Sequence, residues 1–279
     1  MRKILTLTLL LVFCLAVFAA CGTTPPNDTG TLPPGGETPA PPDPSDEPDD
    51  PLAKALTEGQ LAADDNLTKL FLDYYSEHPF ELRFLPSFKD RQSLSWDGLS
   101  FYAFNLAAAA QPEYKGTVTK EAFEETVSRY FGDISYEHGD SAYLTYGGGV
   151  YEPVGWDTMG TEYFRLTDIS KLGDDVFRAS FDGISFYDLD FSDSYNDVSP
   201  NMKAVMDELD VKTSPENAQT LRDTIYTMLL RDDYDEKFEV DDRLTVTFTL
   251  ADTGGQDNLF IYTSCEREDQ GEGPDTSQS

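Results

Sequence analysis

The sequence predicts an α+β fold, with N-terminal helices packed on a curved antiparallel sheet. Three features predict it. Apolar residues recur at helical spacing across the first half of the chain, aromatic and β-branched residues alternate with polar ones after Ser141, and the last long apolar segment alternates strictly.

The helices come first. Asp65 or Asn66 is placed to cap a helix in which Leu67, Leu70, Phe71, Tyr74 and Tyr75 share one face, and Pro79 lies beyond its end. Leu99, Tyr102, Ala103, Leu106 and Ala110 predict a second helix before Pro112. Thr119 caps the third, Val118 and Phe123 are spaced as a hydrophobic staple, and Gly132 ends it. Its inner face is Phe123, Val127, Tyr130 and Phe131.

The strands follow. Glu162 to Ser170 and Val176 to Phe186 are arms of a hairpin turning at Gly173-Asp174. Ser199-Pro200 and Ser214-Pro215 each put a capping serine before a proline at the first helical position. The second of these helices carries Ala218, Leu221, Ile225, Met228 and Leu229 on one face. Leu244, Val246, Phe248 and Leu250 alternate with Arg243 and three threonines as a half-buried strand does; Asp252 to Asp257 turns the chain and Leu259 to Cys265 returns it. In order of elements the domain is similar to the NTF2-like and cystatin-like layouts, which implies helices seated on a bent sheet.

The first twenty residues belong to no fold. Arg2 and Lys3 precede an apolar run from Ile4 to Ala20, the pattern of a secretory signal. The run holds 17 residues, short of the roughly 20 that a permanent span needs. At Phe18-Ala19-Ala20-Cys21 the chain resembles the lipobox of bacterial lipoproteins, with Phe18 where leucine is usual. The resemblance implies cleavage after Ala20, a diacylglyceryl group on the Cys21 thiol, and a domain tethered to the cell membrane on its extracytoplasmic side. Residues 21–51 then read as a stalk. After the cysteine they are almost all Thr, Pro, Gly, Asp, Glu and Ser, with Leu32 as the one large aliphatic residue, too little apolar surface to offset ordering entropy. Such a segment spans about 30 Å as a coil and up to about 90 Å as polyproline II. The expected organisation is signal peptide 1–20, lipidated stalk 21–51, one domain 52–266 and a disordered acidic tail 267–279.

Charge narrows the partners. With 52 acidic against 20 basic side chains the chain carries −32, a field that repels nucleic acid and anionic headgroups. Of the three cysteines, only Cys265 lies in the domain, so no disulfide forms within it; Cys265 falls in a strand and reads as a buried thiol. His78 and His138 are the only histidines, too few for a zinc site built from Cys and His, and both read as solvent-facing or structural.

No catalytic motif stands out. Acidic pairs suited to glycoside hydrolysis arise by chance among so many carboxylates. There is no G-x-S-x-G, and His138-Gly139-Asp140-Ser141 sets its members too close together for a triad. Gly147-Gly148-Gly149 lacks the lysine and helix N-terminus of a phosphate cradle. Three candidate sites are left. Asp188, Asp190, Asp193 and Asp197 crowd one loop, with the hard oxygen ligands that Ca²⁺ prefers; the loop departs from the EF-hand at its sixth and twelfth positions, Asp193 and Ser199. A second acidic run is Asp232, Asp233, Asp235 and Glu236, and a solvated loop is the default for both. Tyr143, Tyr146, Tyr151, Trp156 and Tyr163 surround the glycine run and are the candidate ligand-binding aromatics, set against the preference of tyrosine for sheet faces.

The expected function is a membrane-anchored binding or interaction module for a glycan, a cell-wall component or a protein partner, with no cofactor unless the acidic loop holds Ca²⁺. The alternatives are an accessory subunit of an envelope complex and a secreted hydrolase. Replacing Cys21→Ala is expected to abolish metabolic labelling with palmitate and to release the chain from the membrane fraction. Labelling that persists would place the acyl group elsewhere.

Overall fold

The computed structural model of the chain describes residues 50–155, 160–186, 198–210, 217–250 and 260–269. Among them are seven helices and two antiparallel sheets, so the class is α+β. The expected signal, Cys21 and nearly all of the expected stalk lie outside the described residues.

Helix α1 (Pro51–Thr57) opens the described chain, where the sequence reading had put only the end of a stalk and the first residues of the domain. Its signal was readable: the Asp50 carboxylate accepts from the backbone N–H of Leu52 and Ala53 at 2.8 and 3.1 Å, and Pro51 sits at the first position. Leu52 and Leu56 are buried in the main core. Helix α2 (Asp65–Glu77) is capped by Asp64, one residue before the expected cap, because the Asp64 carboxylate reaches the Leu67 N–H at 2.9 Å. Helix α3 (Trp96–Ala109) starts from a Ser95 cap. Helix α4 (Lys120–Phe131) is capped by Thr119 and closed by Gly132 at φ +68°, with Phe123, Val127, Tyr130 and Phe131 inward, as expected.

A small sheet lies beside these helices. Strands β1 (Val118–Thr119), β2 (Leu144–Gly147) and β3 (Val150–Pro153) run in the order β1-β3-β2. The glycine run is the turn of its hairpin: Gly147 pairs with Val150, and Gly148 and Gly149 take φ +63° and +82°, the left-handed pair that a two-residue turn requires.

The larger sheet is a meander of β4 (Thr161–Lys171), β5 (Val176–Phe186), β6 (Asp242–Leu250) and β7 (Phe260–Asp269). One face presents Phe164, Leu166, Phe177, Ala179, Phe181, Val246, Phe248 and Cys265 to the main core, which the first four helices share. Two bulges keep that face apolar. Skipping Thr167 lets both Leu166 and Ile169 point inward, and skipping Thr263 does the same for Tyr262 and Cys265.

Between β5 and β6 the chain forms α5 (Pro200–Leu209), α6 (Ala218–Leu229) and α7 (Tyr234–Lys237). Ile184 and Phe186, on the opposite face of the sheet, join Met202, Val205, Leu221 and Ile225 in a second core. Ser199 caps α5 as expected, its hydroxyl accepting from the Met202 N–H at 3.0 Å. The expected cap at Ser214-Pro215 and the turn at Asp252 to Asp257 lie outside the described residues. Strand β7 runs beyond Glu266 to Asp269. Arg267 holds this end of the strand, donating to Asp242 and to the Leu82 and Arg83 carbonyls at 3.0 and 3.3 Å.

If α1 is part of the core, Leu56→Ala should cost about 2 to 5 kcal/mol. The thermal midpoint should then fall by about 5 to 15 °C, at roughly 2 to 4 °C per kcal/mol. A change within about a degree would detach α1 from the folded unit.

Candidate functional site

After Gly132 closes α4, residues Asp133 to His138 alternate exposed and half-buried, the period of an extended chain. Ile134, Tyr136 and His138 face in; Asp133, Ser135 and Glu137 face out. The segment that ends at Trp96 runs past it and is tied to it at two places. Arg91 donates to the Phe131 carbonyl at 2.8 Å, and the Trp96 indole N–H donates to the Asp140 carbonyl at 2.9 Å. A further tie joins the Asp97 carboxylate to the Ala142 N–H at 2.8 Å. Between the ties opens a cleft of about 860 Å³, with Gln92, Leu94 and Trp96 on one wall and residues 133–140 on the other. A second cleft of about 500 Å³ lies on the α4 side of the same segment, against Glu124, Val127 and Ser128.

Trp96, Tyr136 and His138 line the wider cleft, and Phe123, Tyr146 and Tyr151 pack against them. Trp96 stacks on Tyr136 (5.9 Å, 18°), Tyr151 on Phe123 (4.3 Å, 23°) and Tyr146 on His138 (5.4 Å, 27°). The imidazole is held at both nitrogens: Nδ1 by the Tyr151 hydroxyl and Nε2 by Glu124 Oε1 at 3.0 Å. The Glu124 carboxyl is held below its usual value, first by the His138 hydrogen bond and then by the charge of Lys120. Burial raises the Tyr151 hydroxyl well above its ordinary value and that of Tyr136 to about 12. Both imidazole nitrogens are therefore tied to neighbouring side chains, which fixes the orientation of the ring.

The five sequence-selected aromatics are only partly gathered. Tyr146 and Tyr151 pair across the small sheet, and Tyr146 is half-buried while Tyr151 is fully buried. Tyr143 is 42% exposed and leans on Phe101 at 4.7 Å, away from His138. Tyr163 belongs to the other sheet, edge-on to Phe186 beside the second core. Trp156 lies outside the described residues, as do Asp188, Asp190, Asp193, Asp197 and Cys21. Among the described residues no group of three His, Cys, Asp or Glu side chains is placed to hold a metal; in the second acidic run, Asp233 is engaged by Arg231 at 2.9 Å. Sequence reasoning missed Trp96 and Tyr136, because the first lies at a helix start and the second in a segment without secondary structure.

A buried carboxyl is the other unusual group. Glu81 is fully buried among tyrosines: the Tyr74 hydroxyl donates to Oε2 at 2.9 Å and the Tyr262 hydroxyl to Oε1, while Tyr75 and Tyr262 share a hydrogen bond of 3.2 Å. Burial pushes the Glu81 carboxyl up to about 7, against the stabilising hydrogen bonds of Tyr262 and Tyr74. Glu162 is also pushed up to about 7, by burial first. The absence of a side chain at Gly183 makes room for it, since a Cβ there would stand 2.8 Å from Glu162 Oε1.

Comparison of the chain with known protein families, with curated proteins and with solved structures finds no match. Among the described residues no helix is long and apolar enough to cross a membrane.

Glu81 and Glu162 give stability a pH dependence. Both hold protons in the fold that the unfolded chain has released above its ordinary value of 4.5. The stability this contributes is complete below 4.5 and is lost as pH rises through about 7. Between pH 6 and 8 each group should remove about 1 kcal/mol, and the midpoint should fall by a few degrees. Glu81→Gln should flatten part of that slope; an unchanged slope in both Glu81→Gln and Glu162→Gln would refute the assignment.

Proposed function

We propose that the chain is a membrane-anchored lipoprotein, tethered through diacylglyceryl-Cys21, whose extracytoplasmic domain is a binding module. The cleft between the strand-like segment 133–140 and the segment ending at Trp96 is its binding face. That cleft carries the reading: its volume suits a ligand, and exposed carboxylates at Asp133, Glu137 and Asp140 line it beside Leu94 and Trp96. A glycan, a cell-wall component or a protein partner fits this role.

Among the described residues the exposed large apolar side chains are Tyr114, Tyr143, Val154 and Leu172, too few for the broad apolar patch expected of an accessory subunit. Hydrolase chemistry finds less support. The raised carboxyl of Glu81 is sealed by tyrosines, and His138 is fully engaged. The NTF2-like or cystatin-like layout remains the proposed finer fold; bulges at Thr167 and Thr263 are the device by which such sheets bend. Asp188, Asp190, Asp193 and Asp197 remain the proposed Ca²⁺ loop.

A thermal-shift panel on the chain from Gly22 onward tests the reading, with cell-wall oligosaccharides, extended peptides, Ca²⁺ and EDTA. A ligand at about 100 times its dissociation constant should stabilise by roughly 2.7 kcal/mol. At roughly 2 to 4 °C per kcal/mol, the midpoint should rise by about 5 to 10 °C. A rise with Ca²⁺ that EDTA reverses would support the acidic loop. A panel that moves nothing would count against the binding module.

A further inference from the structure

The cleft has one property that its aromatic rings do not share. The rings are turned on one another, and the Trp96 N–H is already donated to the Asp140 carbonyl. The backbone between the ties is open instead. Among the described residues, no hydrogen bond engages a backbone N–H or carbonyl from Asp133 to Gly139. From Ile134 to His138 the side chains alternate between half-buried and exposed, as in an extended chain, and the segment lines both clefts. That is an unpaired strand with room along both edges. Exposed, unpaired edges of this kind are templates for another chain.

We infer that residues 133–139 form a docking strand, and that the ligand in the wider cleft is an extended basic peptide segment of a partner protein, added by backbone pairing. This rests on the binding-module reading and gives its ligand a class. The length matches: a peptide of about seven residues pairs along the free stretch. Charge sets the sign. Asp133, Glu137 and Asp140 are exposed along the segment, Arg91 on the facing wall already donates to the Phe131 carbonyl, and the chain carries −32. Lysines at alternate positions of the incoming strand would meet these carboxylates, while apolar residues between them would rest on Leu94 and Trp96. A glycan would need free ring faces, and the Trp96 and Tyr136 rings that line the cleft are stacked on each other.

The test uses the full-length lipidated protein in nonionic detergent and a capped heptapeptide alternating lysine with valine. Its companions are two versions N-methylated on opposite edges, a glutamate-for-lysine version, and cell-wall oligosaccharides. Titration calorimetry should show micromolar binding of the parent peptide. One N-methylated version should bind at least tenfold more weakly and the other about as well as the parent, because only one edge pairs. Hydrogen exchange should slow at residues 134–139 in the complex. Glu137→Lys should weaken the peptide several-fold while leaving the thermal midpoint unchanged.

Equal binding of both N-methylated versions and the parent would overturn the proposal, since charge alone would then explain the affinity. Protection located elsewhere would overturn it too. Binding of oligosaccharide but no peptide would overturn the peptide assignment and leave the binding module standing. Binding of neither would remove both.

Discussion

Helix α2 lies along edge strand β4 and reaches both cores of the domain. Phe71 packs against Phe181 at 5.5 Å and Phe260 at 5.9 Å, and Tyr75 meets Phe181 edge-on at 5.5 Å, all on the main-core side of the meander. Leu72, adjacent on the helix, belongs to the second core with Ile184 and Phe186. A helix that covers an edge strand also removes the unpaired edge from solvent. The remaining elements are arranged around this contact: α1, α3, α4 and the small sheet complete one core, and α5 and α6 complete the other.

Two sets of buried polar groups adjoin the main core, and each is accommodated by its own device. At one end of the core face, Glu162, Asp242 and Arg267 share the sheet with Gly183, whose missing side chain leaves space for the Glu162 carboxyl. Between α2 and β7, Glu81 is enclosed by tyrosine hydroxyls, which keep its oxygens hydrogen-bonded where water does not reach. Burying a carboxyl raises its proton affinity, and the tyrosines recover only part of that cost. The same burial removes Glu81 from solvent.

The cleft arises from a different compromise. Two segments are joined at their ends by Arg91 to Phe131 and by Trp96 to Asp140, and they are held apart between those ties by stacked rings. Rings that fill space beneath a backbone cannot also pair it. The outcome is an extended stretch, 134–138, whose backbone has no hydrogen-bond partner among the described residues.

Much of the fold was legible in the sequence because local patterns report local structure. The staple at Val118 and Phe123, the Thr119 and Ser199 caps, the stop at Gly132 and the alternation from Leu244 to Phe248 all act within one turn or one strand. Helix α1 was equally local, in its Asp50 cap and Pro51, and was passed over because the acidic proline-rich composition around it reads as linker. The bulges at Thr167 and Thr263 break the simple alternation and are decided by which residues must face the core. The candidate site was barely legible. Tyr146 and Tyr151 were selected, but Trp96 and the 133–139 segment that carries Tyr136 come together from two places distant in sequence. What the sequence by itself determined was the class, most of the helices and strands, and the charge. Which rings meet, which carboxyls lose water and which strand lacks a partner depend on contacts between distant residues, and only the tertiary structure decided them.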